Sequence, residues 1–261
     1  MNDGLRKLAM GIAALALLAL LTACEIQIGP GPKGSGVETS AKREVASFNR
    51  VDLRGDADVS IVAGEARSVT VRGDDNLLGR VKTKVEGDTL VISTRRYRSK
   101  IGMAAEIGVP ALNGVELSGS GTVDVHKLSG ASFSADLSGS GELELDGKVD
   151  ALDLDISGSG DARLDDVSAS DTKLRVSGSG DINASGTTKS LEVNIPGSGS
   201  AHLDRLSALE AQVDISGDGD VALRATTFLK ASISGSGDIS YAGNPRRLIK
   251  KVSGDGTISA R

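Results

Sequence analysis

One tetrad, Ser-Gly-Ser-Gly, recurs through the second half of this chain at a nearly constant step. Its copies, some with one substitution, begin at Ser118, Ser138, Ser157, Ser177, Pro196, Ser216, Ser234 and Ser253, so successive starts lie 18 to 20 residues apart. A step this short and regular marks a stacked repeat, in which each copy can bury its apolar face only against its neighbours. The residues just before the tetrads are Leu117, Leu137, Ile156, Val176, Ile195, Ile215, Ile233 and Val252, all large and apolar. Two residues earlier the column reads Val115, Ala135, Leu154, Leu174, Val193, Val213, Ala231 and Lys250. The positions between these columns are polar throughout, from Glu116 and Asp136 to Lys251. That is the period of two that sends alternate side chains to opposite faces of a strand.

Alternation resumes after each tetrad, with Val123, Leu143, Ala162, Ile182, Ala201, Val221, Ile239 and Ile258 in one column and Val125, Leu145, Leu164, Ala184, Leu203, Leu223, Tyr241 and Ala260 in the next. Each copy thus holds two short strands with the tetrad as the corner, and Leu128, Val167 and Leu206 mark a weaker third side. A crossover helix does not fit into such a step. Copies of one short period stack in parallel at about 4.8 Å, which makes the expected fold an all-β parallel β-helix. Glycines in the corners, Gly158 and Gly178 among them, are expected at positive φ, where a Cβ is disfavoured. A flexible Gly/Ser linker is the competing reading, and the regular flanking strands argue against it.

The first residues have another logic. Arg6 and Lys7 precede an apolar run from Ala9 to Leu21, too short to span a bilayer, and Leu21-Thr22-Ala23-Cys24 follows. This is the order of a bacterial lipobox. Residues 1–23 then form a lipoprotein signal peptide, and Cys24 receives the acyl chains that attach the protein to a membrane. An ordinary signal peptide with an incidental cysteine is the bland alternative. Cys24 is the only cysteine, so no disulfide forms within the chain. Glu25, in place of aspartate, favours the outer membrane of a Gram-negative envelope. Residues 24–44, with Gly29-Pro30-Gly31-Pro32, read as a flexible tether. The folded domain is expected over 45–261, with degenerate coils in 45–112 and regular ones in 113–261.

In the degenerate part, Val51-Asp52-Leu53 through Val59-Ser60-Ile61 overlays the repeat, and Val69 to Asp74 and Leu90 to Ser93 read as two further copies, for about eleven coils at 19–20 residues per regular coil. Together with Gly73-Asp74-Asp75-Asn76-Leu77-Leu78, Gly87-Asp88-x-Leu90-x-Ile92 and Val109-Pro110-x-Leu112 leading into the first tetrad, these stretches resemble the head GIN-domain family, the auto-transporter adhesin heads. The resemblance covers residues 45 to 261. It implies a right-handed parallel β-helix in the cell envelope. It implies no settled activity, and the chain shows no evident translocation barrel, whose anchoring role Cys24 would take.

Glu142, Asp161, Asp181, Asp220 and Asp238 follow the corner and would stack as a column of carboxylates that a cation could bridge. A solvated acidic ladder is the favoured reading. His126 and His202, the only histidines, lie four coils apart and read as surface residues. Arg95-Arg96-Tyr97-Arg98-Ser99-Lys100 is a basic run that reads as a solvated loop and could alternatively bind an anionic lipid, a glycan or a partner. In the last copy Lys250 occupies an apolar column, with Arg246, Arg247 and Lys251 beside it, as if to blunt an edge strand.

The formal charge of −5 argues against nucleic acid, and the 2% aromatic content argues against glycan or nucleotide stacking. No cofactor or metal is expected. The function so read is that of a non-enzymatic, membrane-anchored envelope lipoprotein for adhesion, scaffolding or protein contact, monomeric as a soluble domain. A carbohydrate-binding or carbohydrate-active β-helix is the alternative.

Overall fold

A computed structural model describes residues 31–261. The signal peptide, Cys24 and residues 25–30 lie outside the described residues. Pro32–Arg261 form one compact unit. Its strands are β1 (Glu38–Lys42), β2 (Arg50–Arg54), β3 (Asp58–Ala63), β4 (Ser68–Asp74), β5 (Val81–Glu86), β6 (Thr89–Thr94), β7 (Ala104–Val109) and β8 (Gly114–Leu117). Six long strands follow: β9 (Thr122–Leu137), β10 (Glu142–Ile156), β11 (Asp161–Val176), β12 (Ile182–Ile195), β13 (Ala201–Ile215) and β14 (Val221–Ile233). The chain closes with β15 (Ile239–Ala242), β16 (Arg247–Val252) and β17 (Ile258–Ala260).

From β8 onward the pairing is parallel and in sequence order, which makes the fold a parallel β-helix. Register follows the tetrads: Leu143 faces Val123 and Ala162, and Ile156 faces Leu137 and Val176. The predicted inward columns are the core. Leu117, Leu137, Ile156, Val176, Ile195, Ile215 and Ile233 are each at most 2% exposed, whereas Val252 in the last turn is 44% exposed. Further inward positions fill each turn, among them Phe133, Leu152, Leu191, Ala211 and Leu229. Two threonines enter this interior, and Thr172 Oγ1 donates to Thr188 Oγ1 at 3.0 Å, so their hydroxyls are satisfied.

The corners differ from the expectation. None of the tetrad glycines, Gly158 and Gly178 included, lies in the left-handed region. Glycine is required there for another reason. A Cβ on Gly158 would lie under 3.0 Å from the Gly139 carbonyl oxygen one turn below, and Gly178 meets Gly158 in the same way. Left-handed backbone falls instead at the weaker second corner, at Lys127 (φ 56°), Gly147 (φ 138°), Asp166 (φ 50°) and Gly186 (φ 120°). The ladder shifts register at this corner, as between Leu145 and Gly147 and between Leu164 and Val167. Two of these N–H groups are taken up by the next turn: Lys127 N donates to Asp146 Oδ1 and Asp166 N to Ser185 Oγ, each at 3.0 Å.

The first turns also depart from a simple stack. β2 is held between β6 and β8, and β3 between β7 and β9, all parallel. The chain therefore starts one level in, adds an outer level with β6 and β7, and returns past its own start to continue the helix. Val69 to Asp74 is no coil: β4 runs antiparallel to both β7 and β1. β5 is likewise antiparallel to β6. The count of about eleven coils is therefore too high, and the helix makes about seven turns.

The flexible tether assigned to 24–44 does not hold for its described part. Glu38–Lys42 form β1 on β4. Lys33 bridges Arg98, and Gly34 N donates to the Arg98 carbonyl at 2.8 Å. Buried Asp74 fastens this segment, accepting from Gly36 N at 2.6 Å and also from Ser99 Oγ.

Candidate functional site

The acidic column is a hydrogen-bonded ladder rather than a set of freely solvated carboxylates. Asp161 Oδ1 accepts from Asp181 N, Asp181 Oδ1 from Ser200 N, and Asp220 Oδ1 from Asp238 N, each at 2.8 Å. Asp238 Oδ1 accepts from Thr257 N at 2.7 Å and Thr257 Oγ1 at 2.8 Å, and these bonds hold its carboxyl below the ordinary value. Each carboxylate thus takes up an N–H that the corner leaves outside the strand ladder, one turn above. Glu142, one methylene longer, makes no such bond. Among the described residues no group of three or more His, Cys, Asp or Glu is placed to hold a metal. Because these oxygens already have donors, calcium should leave the melting temperature of the folded unit unchanged. A rise of several degrees on adding calcium, reversed by chelator, would turn the ladder into a cation site.

His126 Nδ1 pairs with Asp146 Oδ2 at 2.8 Å at the surface. Burial works to raise the Asp146 carboxyl, but the bonds to His126 and Lys127 N outweigh it and hold the group low. His202 is exposed on β13, four strands along, next to Asn183 and Ala222 in register. The structure does not bring the two histidines together.

The basic run Arg95–Lys100 joins β6 to β7 with Arg95, Arg96, Arg98 and Lys100 exposed. It is a tied loop. Arg95 N donates to the Arg80 carbonyl at 3.1 Å, Arg80 Nη1 to the Arg96 carbonyl at 3.0 Å, and Arg98 N to the Pro32 carbonyl at 2.9 Å. Tyr97 turns inward against the core, and burial, then the charges of Asp56 and Asp58, push its phenol well above the ordinary range.

Two grooves escaped the sequence reading. One, of about 370 Å³, lies on the side of the helix between Arg50, Asn113, Ser132, Ser134, Asp153, Asp171 and Lys173, with Phe133 at its base. Gly114, opposite Arg50 in register, leaves room for the guanidinium to cross β8 and donate to Ser134 Oγ at 3.2 Å. Below it, burial and then repulsion from Asp155 raise the Asp136 carboxyl. The lining can hydrogen-bond a polar chain, yet it offers no open ring for sugar stacking. Phe48, Phe133 and Tyr241 are buried, and Phe228 lies under Arg247 at 5.3 Å. The second groove, also about 370 Å³, lies at the outer end, lined by Lys42, Arg43, Glu44, Gly79, Val81, Lys82 and Thr83. These residues are far apart in sequence and follow no period, so only the docking of β1 and β5 reveals the groove.

The profile of the family described as "Putative auto-transporter adhesin, head GIN domain" matches residues 47–173 and 133–245. The chain belongs to the head GIN-domain family. Solved structures agree. A "putative lipid binding protein" from Parabacteroides distasonis ATCC 8503 is 26% identical, with a TM-score of 0.81 over 88% of this chain and 98% of that one. A "putative adhesin" from the same organism is also 26% identical at TM-score 0.81, over 88% and 100%. One from Parabacteroides merdae ATCC 43184, 22% identical at TM-score 0.80 over 89% and 100%, shares the fold. None of the curated proteins matches the sequence. This GIN-domain protein thus shares its β-solenoid fold with proteins described as putative adhesins and as a putative lipid binding protein.

Proposed function

We propose that this GIN-domain protein is a lipid-anchored envelope protein whose β-helix acts by adhesion or protein contact, without catalysis. The observation that carries the reading is the join of two features: the lipobox order ending at Cys24 and, from Glu38 onward, a strand-built unit whose long walls expose polar columns. Family membership supports the adhesive role. The acyl chains on Cys24 hold the protein to the outer membrane, and the β-helix meets an envelope or surface partner.

The test is Cys24→Ser in the whole chain. The variant should stay unprocessed, and membrane fractionation should find no mature anchored form. Normal maturation and membrane recovery of the variant would sink the anchor. A glycan array with the folded unit tests the carbohydrate alternative, and specific glycan binding would replace protein contact as the activity.

A further inference from the structure

We propose that the N-terminal end of the β-helix is a docking surface for the phosphate headgroups of an anionic membrane. This rests on the Cys24 anchor for its placement in the cell. The charge of the chain is divided by region. Residues 113–245 carry 9 Lys and Arg against 21 Asp and Glu, whereas residues 31–112 carry 14 against 11. Lys42, Arg43 and Lys82 line the outer groove, with Glu44 as its one acidic side chain. Arg80, Arg95 and Arg96 stand beside it, held by the Arg80 Nη1 bond to the Arg96 carbonyl and by the Arg95 N bond to the Arg80 carbonyl.

None of the nine ion pairs among the described residues uses any of these six cations. Arg43 is the sharpest case. Its Nη2 donates to the Leu78 carbonyl at 3.1 Å, while its Nε is buried with no partner. A half-buried guanidinium with one nitrogen unpartnered and no ion pair favours an anion at the rim of its groove. Lys42 and Lys82 lie on the outermost strands of the fold, since β1 pairs only with β4 and β5 only with β6, and Arg43, Arg80, Arg95 and Arg96 lie on the segments that flank β1, β5 and β6. Position in the chain selects the occupant. Gly31 is seven residues from Cys24, a reach of at most about 25 Å when fully extended. Lipidation at Cys24 would hold this end, and not the acidic turns, near the bilayer, where clustered cations attract anionic headgroups within a Debye length.

The test uses residues 32–261, which hold every described strand and the whole core, so its result is independent of acylation. Co-flotation with phosphatidylglycerol-containing vesicles should recover the protein, pure phosphatidylcholine vesicles should not, and high salt should abolish binding. Lys42→Glu, Lys82→Glu and Arg96→Glu together should cut the bound fraction by about tenfold or more. The same charge change at exposed Lys148, Lys189 and Arg205 should leave it unchanged. Failure to float, or equal loss in both triple variants, overturns the proposal. Displacement by millimolar inorganic phosphate would mean a discrete phosphate pocket instead of a membrane surface. A doubled mass in light scattering, abolished by the first triple variant alone, would mean that this end meets the acidic turns of a second copy.

Discussion

Replacing Gly158 by alanine should destabilise the protein by about 1–3 kcal/mol, and valine should cost still more, because the added atoms have nowhere to go. The Gly158 Cβ position lies against the Gly139 carbonyl oxygen, and Gly178 stacks on Gly158 from the other side. Making room means parting two turns whose hydrogen bonds run through the corner, as from Ser159 N to the Gly139 carbonyl at 3.0 Å. Gly64 supplies the contrast. It lies at φ +82° with nothing within 4 Å of its Cβ position. Asparagine, which tolerates left-handed backbone, should therefore be accepted at 64 and be worse than alanine at 158. Urea midpoints of the four variants decide the matter. An unchanged midpoint for Gly158→Ala would remove the stacking account of the tetrads.

Lys250→Val combined with Lys251→Thr should make the domain, expected to be monomeric as the wild type, self-associate, seen as a rise in mass by light scattering. In the last turn Lys250 takes an inward column, in register with Ala231. Its Nζ crosses the end of the interior, donates to the Ile258 carbonyl on the opposite wall at 3.0 Å, and stands 4.7 Å from the Tyr241 ring centroid. The lysine therefore covers the last layer of the core and places a charge where another strand would stack. Around it Leu248, Ile249 and Val252 are 39%, 40% and 44% exposed. With the charge gone, the end becomes an apolar edge with unpaired backbone groups. A double variant that stays monomeric at the same concentration, or a wild-type domain that already assembles through β16, would refute the blunted edge.

The sequence by itself determined the parallel β-helix and nearly all of its core. Alternation in strands is set by covalent geometry, and a constant step leaves parallel stacking as the way to bury one face, so Leu137, Ile156 and Val176 could be placed inward from their spacing alone. The sequence also pointed to Lys250 as an exception in its column. Tertiary structure decided whatever depends on one turn meeting another. The tetrad glycines are needed for space between turns and not for φ, because the close approach exists only once the turns are stacked. The acidic column caps N–H groups one turn above, which no single copy can show. At the N-terminal end, β2 slips between β6 and β8, and the segment expected to be a tether becomes β1 on β4. Those pairings join residues tens of positions apart without a repeating signal. The groove at Lys42, Arg43 and Lys82 exists only because of them.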